Sequence, residues 1–326
     1  MAFPAQRLRR LRRTAALRSL VAETRVSVED LVAPLFVHEA IGEPQPIPSL
    51  PGVVQHTRES LVKEVRSLVS LGVRAFLLFG VPSRRDALGS AAWDPSGIVQ
   101  VSVRELRDEF GDSIVLMTDL CLDEYTDHGH CGVLTPGGDV DNDETLELYG
   151  RIAVAQAGAG ADVVAPSGMM DGQVAAIRKA LDEAGFHSTA IMAYSAKYAT
   201  ALYGPFRDAV EVTIAGGGDR RGYQQQVPNR REAVLEALLD VEEGADIVMV
   251  KPAVSCLDVI AAVREAVTVP VAAYHVSGEY SMVLAASERG WLDASAVLAE
   301  HLTAIRRAGA DIVITYHARR FAEECC

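Results

Sequence analysis

The sequence predicts a (β/α)8 TIM barrel carrying an N-terminal arm, and three observations carry that expectation. Eight short apolar runs of strand length recur along the chain. Helical patterns lie between most of them. Three of the runs share one entry phrase, Gly160-Ala161-Asp162, Gly244-Ala245-Asp246 and Gly309-Ala310-Asp311, each followed by a β-branched run. In that phrase a glycine ends a helix, Ala-Asp turns the chain, and a buried strand begins. An open doubly wound sheet is the rival, but no G-x-G-x-x-G follows the first strand.

In chain order, residues 1–30 form the arm and 31–326 the barrel. The arm is rich in arginine, with Arg9-Arg10 and Arg12-Arg13, and Leu8, Leu11, Leu17 and Leu20 interleave the charges. A transit peptide and a nucleic-acid arm share that composition, but the leucines point to an arm that docks on a neighbouring subunit. The segment 40–57, rich in proline, glycine and polar residues, reads as a loop. The strands are expected at 32–37, 75–80, 114–120, 161–167, 189–194, 245–251, 269–276 and 310–316. The helices are expected at 58–71, 103–110, 144–157, 173–184, 230–243, 257–267 and 294–308. Asp139-Val140-Asp141-Asn142-Asp143 fails the calcium-loop pattern at its sixth and twelfth positions and reads as a turn that caps the next helix.

At 326 residues and 49% hydrophobic, the chain can bury a large core. A net charge of −13 argues against nucleic-acid partners, and no apolar run is long enough to span a membrane. Five cysteines without a secretory h-region fit a reducing cytoplasm rather than a disulfide scaffold. Two of them, Cys325-Cys326, close the chain with no role legible in the sequence.

In a barrel, chemistry collects where strands end. The run Ala245–Val250 ends in Lys251 and is stopped by Pro252. Burial there lowers an amine's pKa, and a neutral amine attacks carbonyls. Only four lysines occur in the chain, at 63, 179, 197 and 251. Lys197 sits at a second strand end, in Tyr194-Ser195-Ala196-Lys197, and two lysines close together lower each other's pKa. The third strand runs into Cys121, Asp123, His128, His130 and Cys131, a candidate metal loop. Zinc suits its thiols, whereas Asp123 favours a harder ion such as Mg²⁺. Arg207 and Arg220 can clamp a carboxylate, on a lid hinged at Gly216-Gly217-Gly218. Ser277 and Tyr316 offer hydroxyls at the seventh and eighth strand ends.

Five motifs, in order, closely resemble the porphobilinogen synthase (5-aminolevulinate dehydratase) family. They are Asp119-x-Cys121-x-Asp123-x-Tyr125-x-x-His128-Gly129-His130-Cys131-Gly132, Tyr194-Ser195-Ala196-Lys197, Tyr203-Gly204-Pro205-Phe206-Arg207-Asp208, Met249-Val250-Lys251-Pro252 and Val276-Ser277-Gly278-Glu279-Tyr280. The resemblance covers nearly the whole chain. It implies condensation of two 5-aminolevulinate molecules to porphobilinogen in tetrapyrrole biosynthesis, by a homo-octamer whose arms wrap neighbours. It implies that Lys251 forms a Schiff base with the first (P-side) substrate and Lys197 with the second (A-side). Arg207, Arg220 and Gln224 then hold the A-side carboxylate, and Ser277 and Tyr316 the P-side one. Tyr203, Phe206, Ser167 and Asp119 line the pocket, and Glu236 matches the position of an allosteric Mg²⁺ at a subunit contact. One departure stands out. Zinc-dependent members carry three cysteines in the metal loop, and here Asp123 replaces the middle one, which implies a labile divalent site on Cys121, Asp123 and Cys131. A smaller departure is Gly168, where many members have aspartate.

An aldolase-like Schiff-base lyase needs only one lysine and leaves Lys197 and the arginines without work. A non-catalytic metal-binding or assembly protein leaves Lys251 unexplained.

Overall fold

The Gly-Ala-Asp phrases show how neighbouring strands are tied together at the base of the barrel. The computed structural model describes residues 3–215 and 218–325. Gly160, Gly244 and Gly309 end their helices at φ of 106°, 107° and 115°, a conformation glycine adopts without strain. The aspartate two positions on then serves the neighbouring strand. Asp162 Oδ2 accepts from the Leu116 N–H at 2.7 Å, Asp246 Oδ2 from Ile191 at 2.8 Å, and Asp311 Oδ2 from Val271 at 2.9 Å. Each carboxylate thus satisfies a backbone donor where two strands start.

The strands are β1 (Leu31–His38), β2 (Gln45–Pro46), β3 (Val54–His56), β4 (Ala75–Val81), β5 (Val115–Leu120), β6 (Val163–Pro166), β7 (Ala190–Lys197), β8 (Ile247–Lys251), β9 (Val271–His275) and β10 (Ile312–Thr315). Eight of them, β1 and β4 to β10, pair in parallel around a closed ring, with β10 returning to β1 through Leu31↔Val313 and Val32↔Ile314. The helices are α1 (Ala15–Leu20), α2 (Arg58–Ser70), α3 (Ile98–Phe110), α4 (Asn142–Ala159), α5 (Gln173–Glu183), α6 (Gly204–Ala209), α7 (Arg230–Glu243), α8 (Leu257–Ala266), α9 (Ser277–Glu288), α10 (Ala294–Ala308) and α11 (Ala318–Cys325). The barrel expectation holds, and all eight expected strands and all seven expected helices are present.

Alternation along each strand splits the apolar side chains into two cores. One lies between sheet and helices and includes Val248, Val250, Val164 and Ile191. The other fills the barrel and includes Met117, Met192, Met249, Tyr194, Tyr274 and Tyr316. Lys251 follows Met249 by two residues and so faces inward.

Three expectations need correction. The segment 40–57 is not all loop, because β2 and β3 form a small antiparallel pair and β3 also hydrogen-bonds alongside β1. Ser277 does follow the seventh barrel strand, but the expected helices include none between 277 and 288, where α9 starts at Ser277 itself. The strand expected to stop at Tyr194 continues to Lys197. Asp141 does cap α4, accepting from the Glu144 N–H at 3.1 Å. Gly216 and Gly217 of the expected hinge and Cys326 lie outside the described residues. The arm contains a 3₁₀ turn (Leu8–Arg12) and α1, neither of which buries a residue, and Phe3, Leu8 and Leu20 are exposed. Among the described residues no helix is long and apolar enough to cross a membrane.

Candidate active site

The two lysines meet because β7 carries a bulge. Its register with β8 gains one residue between Ala193 and Ala196, after which Lys197 pairs with Lys251. Both are buried, 5% and 4% exposed. Their amino nitrogens share one aromatic ring, lying 5.6 Å and 5.1 Å from the centre of Tyr194. Lys197 Nζ also donates to the Ser167 carbonyl. Lys251 Nζ sits in a cage, with Tyr274 at 4.3 Å and Tyr203 and Phe206 each at 5.1 Å. Burial, with the neighbouring Lys197 charge second, lowers the Lys251 pKa to about 7. Asp119, also buried, is raised to about 6 by the same desolvation, against the pull of Lys197. Its Oδ2 accepts from Ser167 Oγ at 3.1 Å, and its Oδ1 has no partner.

The cage is held shut from α6 and α9. Tyr203 Oη donates to the Lys251 carbonyl at 3.3 Å, and Ser277 Oγ accepts from the Phe206 N–H at 3.0 Å. This close approach needs Gly278, where a Cβ would lie 2.4 Å from the Leu202 carbonyl oxygen. Tyr316 and Tyr274 hydroxyls are 3.1 Å apart. Glu279, 1% exposed, ties the two strand exits together. Its carboxylate accepts from the N–H groups of Val276, Ala253, Val254 and Ser255, the last three directly after Lys251-Pro252.

Beside the lysines lies a cluster of cation donors. One ligand atom from each of Cys121, Asp123 and Cys131 lies within 4.8 Å of the others, all three residues being buried. Asp119, Cys121 and Glu124 form a second such group that shares Cys121. Burial opposes ionisation of Cys131, yet Cys121 and the Arg220 guanidinium bring it below the ordinary thiol value, while burial leaves Cys121 well above it. Two thiols and a carboxylate spaced this way fit zinc with one position left open. The imidazoles of the loop stand outside both groups: His130 Nδ1 faces Tyr223 Oη at 3.2 Å and His128 Nε2 faces the Ala87 carbonyl at 3.3 Å.

Asp123 has another partner. Its Oδ2 accepts from Arg220 Nη2 at 2.8 Å, both side chains being almost wholly buried. Burial alone would raise the Asp123 carboxyl, but Arg220 and then Lys197 hold it far below the carboxylate range. Arg220 Nη2 also donates to the Gly129 carbonyl at 2.9 Å. The Nε atoms of Arg207 and Arg220, Gln224 Nε2 and both Glu124 oxygens are buried without partners. Buried polar groups left without partners are costly unless a ligand satisfies them.

The structure therefore gathers Lys251, Lys197, Asp119, Ser167, Tyr203, Phe206, Tyr316, Cys121, Asp123, Cys131 and Arg220 into one connected site, with Ser277 on its wall. Arg207 lies on α6, partly buried. Glu236 lines a cavity of about 670 Å³ with Asp171, Glu232, His130, Tyr223 and Gln224, and neither lysine is among its lining residues. Sequence reasoning gives no role to Glu279, Glu124, Tyr149 or Tyr223. A glutamate three residues into the α9 start is a capping signal that was there to be read. Tyr149, whose hydroxyl donates to the Cys131 carbonyl at 2.7 Å, sits mid-helix and left no signal.

Comparison with known proteins agrees across the chain. The family model for delta-aminolevulinic acid dehydratase matches residues 5–324. The delta-aminolevulinic acid dehydratase of Mycobacterium tuberculosis is 57% identical over 318 residues, covering 97% of this chain and 96% of its own. That of Streptomyces coelicolor is 55% identical over 322 residues, covering 98% and 97%. The crystal structure of delta-aminolevulinic acid dehydratase (porphobilinogen synthase) from Toxoplasma gondii, in complex with the reaction product porphobilinogen, superposes with a TM-score of 0.95 at 43% identity. It covers 98% of this chain and 91% of that one.

Proposed function

The chain belongs to the delta-aminolevulinic acid dehydratase family, and from that premise we propose that Lys251 and Lys197 carry its reaction as a pair of Schiff-base amines. The protein is a lyase, a porphobilinogen synthase that condenses two 5-aminolevulinate molecules to porphobilinogen with loss of two waters. That activity belongs to tetrapyrrole (heme) biosynthesis. The observation that carries the reading is the pair of buried amines in register over one tyrosine ring.

With its pKa near 7, Lys251 is about half neutral at neutral pH and attacks the ketone of the first substrate. The carbinolamine loses water to give an iminium, whose charge the surrounding rings stabilise while they exclude solvent. The iminium acidifies the adjacent carbon, and Asp119, electrostatically coupled to both lysines and with one oxygen unpartnered, is the buried carboxylate that would take up its proton. Lys197 holds the second ketone in the same way, which turns a bimolecular condensation into a local one. Ser277 and Tyr316 receive the first substrate's carboxylate; Arg207, Arg220 and Gln224 receive the second's. Zinc held by Cys121, Asp123 and Cys131 would supply Lewis acidity beside the second substrate.

Beyond the site, Glu236 is the proposed seat of a regulatory Mg²⁺ at a subunit contact, the exposed apolar arm docks on a neighbour in a homo-octamer, and the enzyme works in the cytoplasm. The test is incubation with 5-aminolevulinate under borohydride, read by intact mass, beside a porphobilinogen assay. Wild type should trap substrate and make product, and Lys251→Met and Lys197→Met should each lose product at least 10³-fold. Full porphobilinogen production by Lys251→Met would sink the assignment.

A further inference from the structure

At the mouth of this barrel one carboxylate meets two demands. Asp123 Oδ2 accepts from Arg220 Nη2 at 2.8 Å, and the same side chain stands among the Cys121, Asp123 and Cys131 donors. Nη2 is shared further with the Gly129 carbonyl at 2.9 Å, while Arg220 Nε is buried with no partner. A guanidinium grips a carboxylate best through two parallel N–H donors. Held this way, Arg220 presents only part of its fork to an incoming anion, and Asp123 presents only part of its charge to a cation.

The two ligands relieve each other. A divalent ion on the cluster draws electron density out of Asp123 and sets a like charge beside the guanidinium, which loosens the ion pair. The freed Nη2 can then join Nε in a two-point grip. In the other direction, a substrate carboxylate on Arg220 neutralises the guanidinium and releases Asp123 to the ion. Both effects have the same sign, and the low-dielectric setting, with Asp123 and Arg220 side chains only 4% and 6% exposed, keeps them from being screened.

We propose that Asp123 couples the active-site cation to the second substrate's carboxylate, so that each binds more tightly once the other is present. This coupling rests on the reading of Arg220 as a substrate-carboxylate ligand. Its test uses Lys251→Met protein, which holds 5-aminolevulinate without turnover, titrated with zinc in competition with a chromophoric chelator. Saturating 5-aminolevulinate should lower the zinc dissociation constant roughly 5- to 150-fold. By linkage, saturating zinc should lower the 5-aminolevulinate dissociation constant by the same factor, measured calorimetrically in the same protein. In Lys251→Met with Asp123→Cys the thiol still ligates but no longer pairs with Arg220 as a carboxylate, and the effect should shrink to about twofold or less. Should that double variant not fold, Lys251→Met with Asp123→Asn takes its place: the amide offers no carboxylate charge to Arg220, and the effect should again shrink to about twofold or less. Zinc affinity that is unchanged or weakened by substrate, or full coupling in the Asp123→Cys or Asp123→Asn protein, would each overturn the proposal. A wild-type porphobilinogen assay separates the failures: no product overturns the functional reading and this coupling together, whereas product with flat zinc affinity overturns the coupling alone.

Discussion

Replacing Lys197 with methionine should raise the pH at which Lys251 forms its imine. Two causes hold the Lys251 pKa near 7, burial first and the Lys197 charge second. Two ammoniums on the order of 8 Å apart at an effective dielectric constant of about 20 repel by about 2 kcal/mol, equivalent to about 1.5 pH units. The shared Tyr194 ring, 5.6 Å and 5.1 Å from the two nitrogens, is compatible with such a separation. The sign follows from the charge: removing a like charge favours the protonated amine, so its pKa rises and the neutral nucleophile appears only at higher pH. The midpoint for borohydride-trapped adduct, read by intact mass from pH 5 to 10, should move from about 7 to roughly 8–8.5. Burial persists, so it should stay well below the ordinary lysine value of about 10.4. Trapping at Lys251 does not need the second amine, so the measurement survives loss of turnover. A midpoint unmoved or lowered in Lys197→Met would refute the electrostatic pairing, and a wild-type midpoint near 10 would refute the role of burial.

Two further substitutions probe the scaffold of the site. Glu279→Ala leaves four backbone N–H groups around a buried carboxylate position without their acceptor. At about 1–3 kcal/mol for each donor left dry, even partial rescue by water should leave a loss of about 3 kcal/mol or more in urea unfolding, with Glu279→Gln intermediate. A loss under 1 kcal/mol in Glu279→Ala would show that those donors are not held as described. At Gly168 a Cβ would fall 1.7 Å from the Tyr149 hydroxyl. Gly168→Ala should therefore cost about 1–3 kcal/mol and weaken zinc binding by displacing Tyr149 from the Cys131 carbonyl. Adding Tyr149→Phe should recover part of the stability in urea unfolding, and a neutral Gly168→Ala would refute the steric reading.

That contact at Gly168 shows where sequence reading stops. The glycine stood out as a departure, but its reason is a tyrosine from α4 occupying the space a side chain would need. The barrel itself was legible because buried parallel strands are written as local apolar runs, and their Gly-Ala-Asp entries as local turns. The aspartates' partners were not legible, since each serves a backbone donor on the neighbouring strand. Helix α9 does not announce itself: it is absent from the expected helices, and its turn is tied down by the Glu279 carboxylate accepting from backbone N–H groups on another loop. Its existence depends on Glu279 anchoring that turn to the loop after Lys251.

The site divides along the same line. Lys251 and Lys197 could be found because an amine at the end of an apolar strand is chemically conspicuous, and Cys121, Asp123 and Cys131 because thiols and acids are sparse and clustered. What brings the lysines together is a single extra residue in β7, which changes the register without changing the composition. What gives Asp123 a second partner is Arg220, far along the chain. Local chemistry thus announces which residues can react, while register and long-range ion pairs decide what each reacts with. For Asp123 the difference has a functional consequence. Read in isolation it is a weaker cation ligand than cysteine. Read with Arg220, it is one half of a buried ion pair, the one on which the proposed coupling of cation and substrate carboxylate turns.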